Sequence, residues 1–223
     1  MSSIVYTYKN AIYINLTNRC PCACSYCIKN KWGWRFRGGH TLKLQREPEA
    51  EEVLNEVKKI ASRPSDNGFQ EIVFCGYGEP FMRYDVMRAV AKELKNAGWR
   101  IRVNTTGLAE ASDGMNKGAG RSLDELLDGL RGLVDAFSVS MNASDADGYV
   151  RVNRPLRNLF PPDGRSAFYS VIDFASAAKK KGFDVTLTAV CLPGLDVNAV
   201  SALASEIGVK FRPREYLDEY EDR

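Results

Sequence analysis

The sequence predicts an α/β fold: a parallel sheet curled into a partial, three-quarter (β/α)6 TIM-like barrel. Three observations predict it. Short apolar strands alternate with amphipathic helices along the chain, which argues for parallel strands joined by right-handed crossovers. Six such units are too few for the usual eight-stranded barrel of ~250 residues. Several strands alternate polar with apolar residues, whereas a doubly wound sheet, covered on both faces, reads as near-continuous apolar runs. A flat doubly wound sheet is the main structural rival.

The first strand covers 11–16 and leads directly into a run of cysteines. Helix 49–62 has Pro48 at its first position and Glu49, Glu51 and Glu52 near the positive end of its dipole. Its apolar residues Ala50, Val53, Leu54, Val57, Ile60 and Ala61 keep helical spacing. Strand 71–75 is the apolar run Ile72-Val73-Phe74 between Glu71 and Cys75. Helices 84–97, 166–181 and 196–207 run into Gly98, Gly182 and Gly208, typical C-terminal stops. Helix 122–131 opens on Ser122-Leu123-Asp124-Glu125, a capping-box pattern. The other strands are 100–105, 136–141, 183–190 and 208–213. Residues 109–120, rich in glycine and without periodicity, read as a mobile loop. No internal repeat appears, and residues 1–223 read as a single core domain.

The polar halves of the strands carry a functional expectation. Arg102 and Asn104 alternate with Ile101 and Val103. Ser138, Ser140 and Asn142 alternate with Phe137, Val139 and Met141, and Thr186 and Thr188 with Val185, Leu187 and Ala189. On the last strand Lys210, Arg212 and Arg214 alternate with Val209 and Phe211. One face then packs on helices while the other lines a wet lumen, whose arginines (Arg102, Arg212, Arg214) suit an anionic guest.

The formal net charge of +3 is unevenly spread. Residues 1–46 hold eight basic residues and no Asp or Glu, leaving 23 basic against 28 acidic residues in the remainder. A positive N-terminal region favours anions near the cysteine run. No apolar run approaches a membrane span, the N-terminus lacks a signal-peptide layout, and clustered cysteines fit a reducing compartment. The expectation is a cytoplasmic protein with no membrane partner.

Cys20, Cys24 and Cys27 form a C-x-x-x-C-x-x-C run with Tyr26 before the last thiol. Cubane iron–sulfur clusters normally take four cysteines, so three thiolates on one loop leave an iron open to a chelating ligand. Cys22 makes a fourth thiol in the run, and four thiols can also close a tetrahedral zinc site. The spacing is cramped for zinc, and no second pair of thiols follows. Cys75 and Cys191 read as small buried hydrophobes. Strand 71–75 then runs into Gly76-Tyr77-Gly78-Glu79-Pro80. Its glycines permit close backbone approach, and Glu79 places a carboxylate at the strand's C-terminal end, where such folds bind ligands.

With these residues in view the chain resembles the radical SAM superfamily. The likeness rests on Cys20-x-x-x-Cys24-x-Tyr26-Cys27, Gly76-x-Gly78-Glu79-Pro80 and Asn104-Thr105-Thr106-Gly107, and it spans almost the whole chain. It implies a [4Fe–4S] cluster on Cys20, Cys24 and Cys27, with the open iron chelated by S-adenosylmethionine (SAM). It further implies that Gly76, Tyr77, Gly78 and Glu79 hold the methionyl amino group. Tyr26 and Val190 would lie against the adenine and Ser140 and Asn142 near the ribose, with Asn104, Thr105 and Arg154 as candidates for the carboxylate. The implied reaction is reductive cleavage of SAM to a 5′-deoxyadenosyl radical that takes hydrogen from a substrate in the lumen.

Within the superfamily the chain looks like the small TatD-linked proteins. This narrower likeness is carried by Arg46-Glu47-Pro48, the segment from Asn158 to Gly164, Leu192-Pro193-Gly194 and the run from Lys210 to Arg214. The implied partners are a reductant such as flavodoxin or ferredoxin, a small-molecule, peptide or nucleotide substrate, and a TatD-type hydrolase. The rival reading is a non-catalytic zinc or iron–sulfur module whose residues 19–46 contact nucleic acid or a protein. That segment interleaves Trp32, Trp34 and Phe36 with basic residues, a pattern that can stack bases or cap a barrel mouth. His40, the only histidine, reads as a solvated loop residue.

Overall fold

Each parallel strand lies beside the next one in sequence. The structure, a computed structural model, describes residues 3–36, 40–63, 68–116, 120–161 and 163–217. In chain order the elements begin with β1 (Val5–Tyr8), β2 (Ala11–Ile14), α1 (Ile28–Lys31), β3 (Arg35–Phe36), β4 (His40–Thr41) and α2 (Ala50–Ala61). There follow β5 (Glu71–Phe74), α3 (Tyr84–Asn96), β6 (Ile101–Thr105), α4 (Ala109–Gly114), α5 (Leu123–Asp128) and β7 (Ala136–Ser140). The chain closes with α6 (Ala146–Asn153), α7 (Ser166–Lys180), β8 (Asp184–Val190), α8 (Val197–Ile207) and β9 (Lys210–Arg214).

The main sheet has the order β1-β2-β5-β6-β7-β8-β9. β1 pairs antiparallel with β2, and all other neighbours are parallel. Because the order never reverses, right-handed crossovers send every connecting helix to the same face. That separates this fold from a doubly wound sheet, which needs a reversal, and fits a partial barrel.

The strand faces divide as their alternation requires. Ile12, Ile14, Ile72, Phe74, Ile101, Val103, Phe137, Val139, Val185 and Leu187 join the helices' Val53, Val57, Met87, Val90, Val171 and Phe174 in one buried cluster. The opposite face carries Tyr13, Glu71, Arg102, Asn104, Ser138 and Thr186. Over its β1–β2 end folds the β3–β4 ribbon, which seals it with aromatic rings. Tyr6 stacks on Tyr13 at 5.2 Å, and Phe36 meets Tyr6 edge-on at 4.9 Å. The polar part of this face left uncovered by these rings therefore lies on the strands from β5 to β9.

Capping explains several boundaries. Ser122 accepts from Glu125 N and receives the Glu125 carboxylate on its own N–H. Gly98, Gly182 and Gly208 adopt φ of 84°, 90° and 74° just past their helices, a conformation that glycine takes without steric penalty. Three expectations are corrected. Residues 109–120 are not wholly loop, since Ala109–Gly114 forms α4. It is closed by buried Asp113, which accepts from Gly120 N, Arg121 N and the Arg121 guanidinium; residues 117–119 lie outside the described residues. Pro48 precedes the cap residue Glu49 rather than opening α2. Cys191 is exposed and Cys75 half-buried, so neither is a core hydrophobe, because both sit where a strand has already left the core.

Candidate metal and cofactor site

The cysteine loop leaves β2 at Ile14 and is held from two sides. On one side it meets the turn after β5. Glu79 N donates to Arg19 O at 2.8 Å. A Cβ on Gly78 would lie 2.5 Å from Arg19 O and closer still to Thr17 O, and one on Gly76 would collide with the Asn15 side chain. Both glycines are thus required by the approach of two protein segments. On the other side the loop runs against the chain that leaves α6. Ala23 N donates to Arg154 O (3.0 Å), Ser25 N to Val152 O (2.9 Å) and Leu156 N to Pro21 O (2.9 Å). Arg154 supports that turn with a left-handed backbone, φ 48°.

Arg19, beside Cys20, anchors the loop's start. Its Nε donates to Glu47 Oε1 at 2.7 Å, and its Nη2 reaches Met82 O and Asn116 Oδ1, each at 3.2 Å. Burial alone would raise the Glu47 carboxyl, but hydrogen bonds from Arg19, Thr17 and Arg83 outweigh it and hold it below the usual range. Glu47→Gln is expected to cost the metal-free protein about 1.5–3 kcal/mol at neutral pH, as for hydrogen bonds to charged groups. With the folded pKa depressed, that stability is fully present above the unfolded carboxyl pKa and is lost as pH falls through the folded value. Urea unfolding at neutral and acid pH tests this: the deficit must shrink in acid, and an equal deficit at both would reject the ion-pair origin.

Cys20, Cys24 and Cys27 are half-buried, whereas Cys22 is 7% exposed and belongs to the hydrophobic core. Burial pushes the Cys20 and Cys27 thiols up. The Cys22 thiol donates to Cys24, which lowers Cys24 and raises Cys22. The Lys29 ammonium favours the thiolate at Cys20, Cys24 and Cys27 alike. Three half-buried thiols on a clamped loop, beside a cation and with the fourth cysteine buried, fit a cluster held by three thiolates, whose binding displaces the thiol protons. Among the described residues, no three His, Cys, Asp or Glu side chains converge on a single-ion site.

The predicted cofactor residues fall into two groups. Tyr26, Asn142 and Val190 form one: Asn142 Nδ2 donates to Tyr26 OH at 2.6 Å, and Val190 N donates to Asn142 Oδ1 at 2.9 Å. Ser140, half-buried, ends the same strand as Asn142 approaches the site. The second group gathers around Glu79, whose buried carboxylate accepts from Thr105 Oγ1 (2.8 Å) and Thr106 N (2.7 Å). Burial pushes that carboxyl above its ordinary value, against these hydrogen bonds. The Glu79 side chain thus ties β5 to β6, leaving the main chain of Gly76–Glu79 as the part that can face a ligand. The Tyr77 ring turns onto the ribbon, where its hydroxyl donates to Arg35 O. Arg154 meets the cysteine loop through its carbonyl, and Asn104 accepts from Arg102.

The predicted substrate arginines differ from one another. Arg102 is forked onto Glu71, with Nη2 to Oε1 at 2.6 Å. Arg212 Nη2 reaches across the lumen face to Ser138 Oγ at 3.3 Å. Desolvation, with Arg102 and Arg214 nearby, lowers the Arg212 pKa, so the three cations share one region. Among the described residues Arg212 has no carboxylate partner; Asp218 lies outside them. Asn153, which sequence reading missed, donates Nδ2 to Met141 O and accepts from Tyr26 OH. Its helix α6 gave no signal because Gly148 and two valines weaken the helical pattern. The 29–46 aromatics are used internally: Trp32 is buried, Trp34 lies between Lys29 and Lys43 and against Tyr77, and Phe36 meets Tyr6 and Tyr8. His40 is exposed on β4.

A family profile described as the Radical SAM superfamily matches residues 14–207. Among solved structures, a radical SAM methyltransferase from Sphaerobacter thermophilus is 18% identical with a TM-score of 0.61, over 95% of this chain and 57% of that one. SuiB of Streptococcus suis, bound to its precursor peptide SuiA, is 12% identical with a TM-score of 0.63, over 97% and 41%. Methylornithine synthase (PylB) is 14% identical with a TM-score of 0.56, over 96% and 57%. At such identities the likeness is one of fold, and the chain spans roughly half the length of these structures. No curated protein matches the sequence.

Proposed function

Because the chain belongs to the radical SAM superfamily, whose members bind a [4Fe–4S] cluster and SAM, we propose that Cys20, Cys24 and Cys27 hold the cluster of a hydrogen-abstracting enzyme. Three half-buried thiols on one doubly clamped loop, with Cys22 buried in the core, carry this reading. When bound, the cluster and SAM supply a 5′-deoxyadenosyl radical by reductive cleavage. The chain's own residues then bind, orient and exclude water. The main chain of Gly76–Glu79 and the Tyr26–Asn142–Val190 group frame the SAM site, with Ser140, Thr105, Asn104 and Arg154 at its margin. Radical SAM enzymes need a reductant such as flavodoxin or ferredoxin.

The substrate of this reading is polar and anionic. Its support is Arg212, a lumen cation without a carboxylate partner among the described residues. The narrower likeness to TatD-linked proteins supports an association with a TatD-type hydrolase, testable by co-purification, and names no substrate. The zinc-module alternative loses ground because Cys22 is buried, Trp34 packs on Tyr77 and Phe36 on Tyr6 and Tyr8.

The test is anaerobic reconstitution with iron and sulfide, then dithionite and SAM, with assay for 5′-deoxyadenosine; none formed would end the proposal. Arg212→Ala is expected to keep iron content and this uncoupled cleavage. Turnover of an anionic substrate should fall roughly ten- to a hundredfold, the range for a lost charged hydrogen bond. Unchanged turnover would remove Arg212 from substrate binding.

A further inference from the structure

We propose that Asn153 is a positioning residue for the cysteine loop, holding Tyr26 and through it the turn that carries Cys24 and Cys27. The proposal deepens the cluster reading above and rests on it. Asn153 ends α6 and is 2% exposed. Its Oδ1 accepts from Tyr26 OH at 2.6 Å and lies 3.9 Å from Cys24 Sγ, while its Nδ2 donates to Met141 O at 3.2 Å. Asn142 Nδ2 donates to the same tyrosine hydroxyl at 2.6 Å. The phenol thus gives its one proton to Asn153 and accepts from Asn142, and two amides pin it from one side of the barrel.

The geometry distinguishes this from general packing. The main-chain clamp formed by residues 152–156 reaches only as far as Ser25. Beyond it the turn is closed locally, by Cys27 N to Cys24 O at 3.2 Å, and its side-chain tie to the barrel is the Tyr26 hydroxyl. Removing the Asn153 amide should leave the clamp, and hence the fold, in place. Cys27, beyond the clamp, would then be free to shift, whereas Cys24 stays between the clamped Ala23 and Ser25 and loses only its contact with Asn153 Oδ1. Asn142 turns its Nδ2 donor to the phenol, so it does not take the phenolic proton in place of Asn153.

The test needs no loaded enzyme. In metal-free, reduced protein, site-resolved alkylation with iodoacetamide should be about tenfold faster at Cys27 in Asn153→Ala, as expected for opening one or two buried hydrogen bonds. Cys191, already exposed, and Cys75, outside the loop, should react as in the wild type. Tyr26→Phe, which deletes the shared hydroxyl and keeps the ring, should reproduce the effect and decides the matter if Asn153→Ala does not fold. After reconstitution both variants should hold wild-type iron yet give reduced-cluster electron paramagnetic resonance signals with altered g-values. Unchanged alkylation, acceleration at all cysteines including Cys75, or a wild-type signal would each overturn the proposal. Failure of wild-type protein to take up a four-iron cluster would instead reject the cluster reading, and the alkylation arm would still be decisive for Asn153.

Discussion

Cys20→Ala, Cys24→Ala and Cys27→Ala are each expected to abolish iron binding, whereas Cys22→Ser retains about four irons per chain, as for one cubane. All four cysteines lie within eight residues, so the contrast comes from their burial. Cys22 is buried in the core, and the pair Cys22–Pro155 bridges the loop to the segment after α6. The other three are half-buried and share the Lys29 field. Serine at position 22 puts a hydroxyl into an apolar site at a cost of roughly 1–3 kcal/mol, which should lower thermal stability without emptying the site. Iron and sulfide analysis after anaerobic reconstitution checks this. Stoichiometric zinc that disappears with Cys22→Ser would reverse the assignment.

Gly78→Ala is expected to be nearly as damaging as a cysteine substitution, and to act before any ligand binds. Its Cβ would fall 2.5 Å from Arg19 O and closer to Thr17 O, both main-chain atoms that cannot rotate away. Relief requires prising the turn after β5 off the cysteine loop and stretching the bond from Glu79 N to Arg19 O. Overpacking of this kind costs typically about 1–3 kcal/mol and more when backbone must move. The metal-free variant should therefore unfold at lower urea concentration and take up little iron. Were its metal-free stability to equal the wild type's while SAM binding alone was lost, Gly78 would be answering to the ligand and not to Arg19. The expected outcome revises the usual inference from such a glycine: close approach is indeed needed, but the first thing that approaches is the chain's own loop.

The legible parts of the fold were those with local signals. The six parallel strands and the five helices between them stand where periodicity, capping serine and terminal glycines put them, because such elements are set by residues within a few positions of one another. The thiol spacing was legible for the same reason, since three ligands on one short loop need no distant partner to be recognised. β1, four residues long, and α6, weakened by Gly148, carry too short or too mixed a pattern to read. The pairing of arginines was hidden as well. Arg102 and Arg212 look alike in their strands, yet Glu71 neutralises one across the sheet while the other, among the described residues, hydrogen-bonds to Ser138 Oγ.

By itself, then, the amino-acid order determined the strand–helix alternation, the polar and apolar strand faces and the three-thiolate motif, all consequences of short-range spacing. Only the tertiary structure decided which cysteine is buried, what the glycines at 76 and 78 make room for, and that residues 152–156 clamp a loop some 130 positions earlier. Those contacts join segments far apart in sequence, and their partners become neighbours only once the parallel sheet has brought the C-terminal ends of β2, β5 and β7 to one rim.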